Sequence, residues 1–171
     1  MINKVSSIRE DELTYILTYA GYILLSFELT KTMIVGPIKS FYANTEFQGG
    51  PFKTYKEDVL ARHKNEFEAC LLYLKDFMKA IDSNDLLTIQ ALRKHRNDLA
   101  HNLPDKLSLE EIRNGSTPLE NVKNVIFKLS NYRTYMEVGQ EPELRGVDWG
   151  LVKGEEYLLF EMVINKVRTL K

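Results

Sequence analysis

The stretch ALRKHRNDLAHNLPD, Ala91 to Asp105, decides how this chain folds. At about 100° per residue, Leu86, Ile89, Leu92, Leu99, Ala100 and Leu103 fall on one broad helical arc, with Arg96 near its centre. The spacing predicts a helix over about Asn84 to Leu103. Asp82 or Ser83 can cap its start, and Pro104 ends it, because the residue before a proline avoids the helical region. A guanidinium at the centre of that arc faces other helices, and burying it unpartnered costs on the order of several kcal/mol. Arg96 must therefore pair with an acid such as Glu28 or Asp76, or line a wet groove that admits an anion.

The rest of the chain supplies helices for Arg96 to face. Leu13, Ile16, Leu17, Ala20, Leu24, Phe27 and Ile34 recur at helical spacing and predict a first helix from about Ile8 to Ile34. GPIKSFYANTEFQGGP, Gly36 to Pro51, reads as a break and a long irregular connection. A second helix is expected from about Thr54 to Ile81, its stripe formed by Leu60, His63, Phe67, Cys70, Leu71, Leu74, Phe77, Met78 and Ile81, with His63 a core histidine. Ser108 with Glu111 and Thr117 with Glu120 have capping-box spacing, and Gly115 closes the short helix opened by the first of them. Pro118 at a first helical position opens a fourth long helix to about Val138. A last helix begins at Asp148 or after Gly154 and ends near Leu170. No strand alternation appears. The expected fold is all-α: one domain over residues 1–171, an up-and-down bundle of four long helices plus one or two short ones.

Composition narrows the function. The chain has 171 residues, 44% hydrophobic and 27% charged, enough to bury a core without disulfides. Its 23 basic and 24 acidic side chains leave a net charge of -1, so any polyanion site must come from local clustering. The single cysteine, Cys70, excludes an internal disulfide and reads as a packed thiol, which fits a reducing cytoplasm. MINKVSSIREDE is polar and acidic, unlike a signal peptide. The uncharged run Leu13 to Phe27 is shorter than the roughly 20 residues a bilayer span needs, so a buried helix is expected and no membrane. No Glu-x-x-His, no His-x-x-x-His and no phosphate-binding glycine loop occurs, so neither metal nor cofactor is expected. Tyr15, Tyr19 and Tyr22 read as core edge or oligomer contact, Trp149 as an anchor for the last helix, and His95 as solvent-facing.

Asn97 and His101 are an i, i+4 pair at one edge of the arc, and Gln90, Arg93 and Lys94 make the same margin basic. Arg96 and His101 stand about 7.5 Å apart along the axis and about 140° around it. RNDLAH, Arg96 to His101, resembles the motif of the HEPN domain family: an arginine, a polar residue, a few further positions and a histidine, late on a helix of an all-α bundle. The resemblance implies a homodimer that brings two motifs into one cleft, and a metal-independent endoribonuclease acting on RNA. His101 would then be general base or acid around the 2′-hydroxyl, its ordinary pKa near 6.5 suiting that task. Arg96 would hold the scissile phosphate, Asn97 would orient the ring or bind the phosphate, and Arg93 and Lys94 would add RNA-binding charge. It implies a toxin or phage-defence component, with an antitoxin protein as partner. Two other readings stand beside it: a non-catalytic HEPN-like module that binds RNA or protein, and a structural bundle in which Arg96 is simply ion-paired.

Overall fold

The computed structural model describes residues 9–44, 53–103 and 118–169, and these are helical with no strand among them. Six α-helices follow in order: α1 (Glu10–Asn44), α2 (Tyr55–Asp58), α3 (Glu66–Asp76), α4 (Ser83–Asn102), α5 (Pro118–Val138) and α6 (Glu155–Thr169). Single 3-10 turns lie at Leu60–Arg62, Pro142–Leu144 and Trp149–Leu151. The chain is an all-α helical bundle. The spacings at Ser108, Glu111 and Thr117, and the turn at Gly115, lie outside the described residues.

α1 is the centre, packing against α3, α4, α5 and α6. Ile16, Tyr19, Ile23, Phe27, Ile34 and Ile38 run along its buried face at steps of three, four and seven. Ser26 and Thr30 are buried there too, and each donates its hydroxyl hydrogen bond to a carbonyl one turn back, at 2.7 Å, so neither is orphaned. By length and mean hydropathy α1 is also the one helix among the described residues that could span a membrane; 39% of its most apolar window is buried in the bundle.

Three expected boundaries move. α1 does not stop at Gly36 but runs through Pro37 to Asn44. Pro37 forfeits one helical hydrogen bond, yet the turns beyond it bury Ile38 and carry Tyr42, which donates to Asp58 at 2.7 Å and packs on Tyr55 and Tyr73. The expected second helix is instead broken at His63-Lys64-Asn65. Asn65 is extended and caps α3 by accepting from the Glu68 amide at 3.2 Å. His63 is exposed rather than core, and its Nδ1 accepts from the Asn65 amide at 3.0 Å. α3 ends at Asp76, short of Ile81, because Lys79 takes a left-handed φ of 55° and the Ala80 amide closes onto the Leu74 carbonyl.

α4 and α5 lie where expected. Asp82 caps α4 in a reciprocal box with Asp85, and the buried Asp85 carboxylate also accepts from Lys128 of α5 at 2.7 and 3.0 Å. That bond and the attraction of Asp85 hold the Lys128 ammonium above the ordinary lysine range. α6 docks on α5 through Gly154, where an added Cβ would collide with the Ser130 and Thr134 hydroxyls. Asn131 donates to the carbonyls of Trp149 and Val152, and the Trp149 ring meets Tyr135 edge-on at 5.2 Å, so Trp149 belongs to the α5–α6 connection. Cys70 is fully buried, and burial pushes its thiol up.

Asp85→Ala leaves the Asp82 cap in place but removes the carboxylate that closes the box onto the Asp82 amide and pairs with the half-exposed Lys128, so it should cost roughly 1–2 kcal/mol. Asp85→Asn, whose side-chain oxygen can still accept from the Asp82 amide, should cost less. Urea denaturation of the two variants checks the order.

Candidate functional site

The site is built from the face of α4 that turns toward α1 and α3. Arg96 lies between the fully buried Ile89 and Leu92 in angular position, as its spacing predicts. It is not sealed: 29% of its side chain is exposed. The guanidinium sits over the Phe27 ring at 5.1 Å, Nη2 donates to Glu28 Oε1 at 2.8 Å, and Nη1 donates to Asn97 Oδ1 at 3.0 Å. Its Nε is buried, with no hydrogen-bond partner among the described residues. Glu28 is therefore the carboxylate that Arg96 requires. Asp76, the other candidate, pairs with Lys75 at 3.2 Å.

Arg93, one turn earlier, repeats the arrangement on α3. Its guanidinium lies 5.6 Å from the Phe67 ring centre and pairs with Glu68, which Gln90 also contacts. Phe27 and Phe67 meet edge to face at 5.6 Å. The result is a row, Arg96–Phe27–Phe67–Arg93, with a glutamate at each end. The two ends differ in cover: the Glu68 side chain is 18% exposed and Glu28 is 49% exposed. The second Glu28 oxygen lies 3.7 Å from Lys31 Nζ.

The remaining motif residues surround this row unevenly. His101 is exposed in the last turn of α4, with no hydrogen bond among the described residues. Asn97 is committed to Arg96, so the structure ties the asparagine to the guanidinium and not to the imidazole ring. Lys94 is exposed, whereas Arg93 is held by Glu68. Ala100, placed in the apolar arc by its spacing, is exposed. His95 is half-buried rather than solvent-facing: its Nε2 lies 3.2 Å from the Tyr19 hydroxyl, and their rings meet edge-on. Burial pushes the Tyr19 hydroxyl up to about 12, so it stays protonated at neutral pH.

The glutamates were legible only in part. Phe27-Glu28 and Phe67-Glu68 are the two dipeptides that receive the arginines, but the chain holds a third, Phe160-Glu161, whose glutamate pairs with Lys153 and Lys123. Only the fold selects among them. No group of three or more His, Cys, Asp or Glu is arranged to hold a metal among the described residues. A cleft of about 790 Å³ between the second half of α1, α3 and α5 contains none of the motif residues; Met33, Phe41, Phe77 and Met136 line it. No protein-family model, curated protein or solved structure matches this chain.

Double-mutant cycles distinguish the two ion pairs. The open Arg96–Glu28 pair should couple by less than about 1 kcal/mol, and the more enclosed Arg93–Glu68 pair by about 1–2 kcal/mol. Equal coupling energies would contradict the difference in cover.

Proposed function

We propose that this protein is a metal-independent endoribonuclease of the HEPN type, active as a homodimer in the cytoplasm and serving as a toxin or phage-defence component. One observation carries the reading: RNDLAH occupies the closing turns of α4 in an all-α bundle, with Arg96 and His101 both reaching solvent and Arg96 oriented by Asn97. In this reaction His101 takes the proton of an RNA 2′-hydroxyl, whose oxygen attacks the adjacent phosphorus. Arg96 neutralises charge building on the non-bridging oxygens. The 5′-oxygen leaves with a proton, supplied by the partner's copy of the same histidine, and the products are a 2′,3′-cyclic phosphate and a 5′-hydroxyl. All of this chemistry is proton transfer and charge stabilisation, which these side chains supply without a metal.

The surface of α1 supports a dimer. Leu13, Leu17 and Leu25 are exposed at i, i+4 and i+12 around exposed Gly21, and Glu28 falls within about 60° of each of them on the helical wheel. Self-association with the two helices running parallel along this stripe would set the Arg96–Glu28 pairs of the two subunits side by side. Leu17→Glu should convert dimer to monomer with its helicity retained, and its melting temperature should no longer rise with protein concentration. Sedimentation velocity and circular dichroism read the two effects separately.

The second reading is a non-catalytic HEPN-like module that binds RNA or an antitoxin-like protein partner. It is favoured by the carboxylates: Glu28 and Glu68 neutralise two of the cations expected to meet RNA. Incubation of mixed RNA with the purified protein in EDTA decides between them. For the enzyme, cyclic-phosphate ends should accumulate, and both His101→Ala and Arg96→Ala should lower the rate by about a hundredfold or more while retaining helicity. Intact RNA after incubation with clean, folded wild type would leave the binding module and the structural bundle in which Arg96 is simply ion-paired to Glu28.

A further inference from the structure

Glu28 is the part of the site for which the HEPN resemblance offers no role. Its carboxylate spans two cations: Oε1 accepts from Arg96 Nη2 at 2.8 Å, and Oε2 stands 3.7 Å from Lys31 Nζ. Two oxygens on one centre, each directed at a different cation, is also how the non-bridging oxygens of a phosphodiester would be received there. The Nε–Nη2 edge of an arginine can take both oxygens of one anion, but here Glu28 meets Nη2 alone, and the buried Nε has no hydrogen-bond partner among the described residues. Glu28 leaves that edge half-filled because its other oxygen is turned toward Lys31.

The neighbouring pair supplies the comparison. Glu68 accepts from both Arg93 and Gln90 and is largely covered, as expected of a tie between helices. Glu28 has one hydrogen-bond donor among the described residues and a half-exposed side chain, so water reaches its carboxylate. With Glu28 in place the group formed by Arg96, Lys31 and Glu28 carries one net positive charge; with Glu28 swung away it carries two. Lys94, exposed on α4, adds to the positive potential of this margin.

We propose that Glu28 is a displaceable internal counter-ion: it occupies the phosphate position between Arg96 and Lys31, and an oxyanion of the phosphate or phosphodiester class binds by exchanging with it. This rests on the reading of Arg96 as the phosphate-binding group, and it makes Glu28 the residue that sets how strongly an anion must bind to enter. Neutral and weakly charged ligands leave the pair closed.

The test uses the full chain with inorganic phosphate as probe, followed by thermal melting and titration calorimetry at constant ionic strength. Glu28→Gln should bind phosphate about tenfold or more tightly than wild type, and adding Lys31→Met or Arg96→Met should abolish the gain. Equal phosphate affinity in wild type and a folded Glu28→Gln overturns the proposal. If Glu28→Gln does not fold, Glu28→Asp, one methylene too short to reach both cations, should show a smaller gain, and no gain overturns the proposal in the same way. RNA cleavage by the same proteins separates the two ideas. A phosphate gain without cleavage by wild type keeps the counter-ion and removes the ribonuclease. Cleavage at equal rates in wild type and Glu28→Gln, with no phosphate gain, does the reverse.

Discussion

Two guanidiniums on the inward face of α4 constrain the helices around them. Arg93 and Arg96 stand one turn apart where leucine would pack without cost, and a cation turned into a bundle needs both a counter-charge and a surface on which to lie. α1 and α3 each present a phenylalanine followed by a glutamate, so the aliphatic stems and flat faces of the arginines are packed and their charges are met. The edge-to-face contact of Phe27 with Phe67 then joins the two halves. The position of α4 relative to α1 and α3 is thus set by directional polar contacts as well as by apolar area.

Those contacts are not equivalent, and the difference shapes the chemistry. Where water is largely excluded, as at Glu68, the attraction between charges is weakly screened and loss of either partner strands the other. Where water reaches the carboxylate, as at Glu28, the same pair of charges gains little from being together, and another anion can compete. An arginine that is oriented by Asn97, backed by a ring and only loosely neutralised is suited to exchange one anion for another.

Several helix ends were set by contacts distant in sequence. Pro37 ordinarily ends a helix, and the local sequence favours a break at Gly36; burial of Ile38 and the hydroxyl and ring contacts of Tyr42 outweigh one missing hydrogen bond. The apolar stripe from Leu60 to Ile81 pointed to one continuous helix, but it contains Asn65, whose side chain caps a new helix, and Lys79, held in a left-handed conformation. Periodicity counts apolar residues and is blind to a cap in the middle of its own stripe.

From its residues alone the chain was legible as an all-α bundle, with α4 and α5 placed closely, because capping residues, prolines and three- and four-residue apolar steps act over distances of one or two turns. RNDLAH and the inward direction of Arg96 were legible for the same reason. Helical spacing says that a carboxylate such as Glu28 or Asp76 must meet that arginine without deciding which, and it does not reveal the exposure of His63, the burial of His95 or the capture of Arg93 by Glu68. Each depends on how helices far apart in sequence pack side by side, and helical spacing specifies which way a side chain points without specifying what stands in front of it.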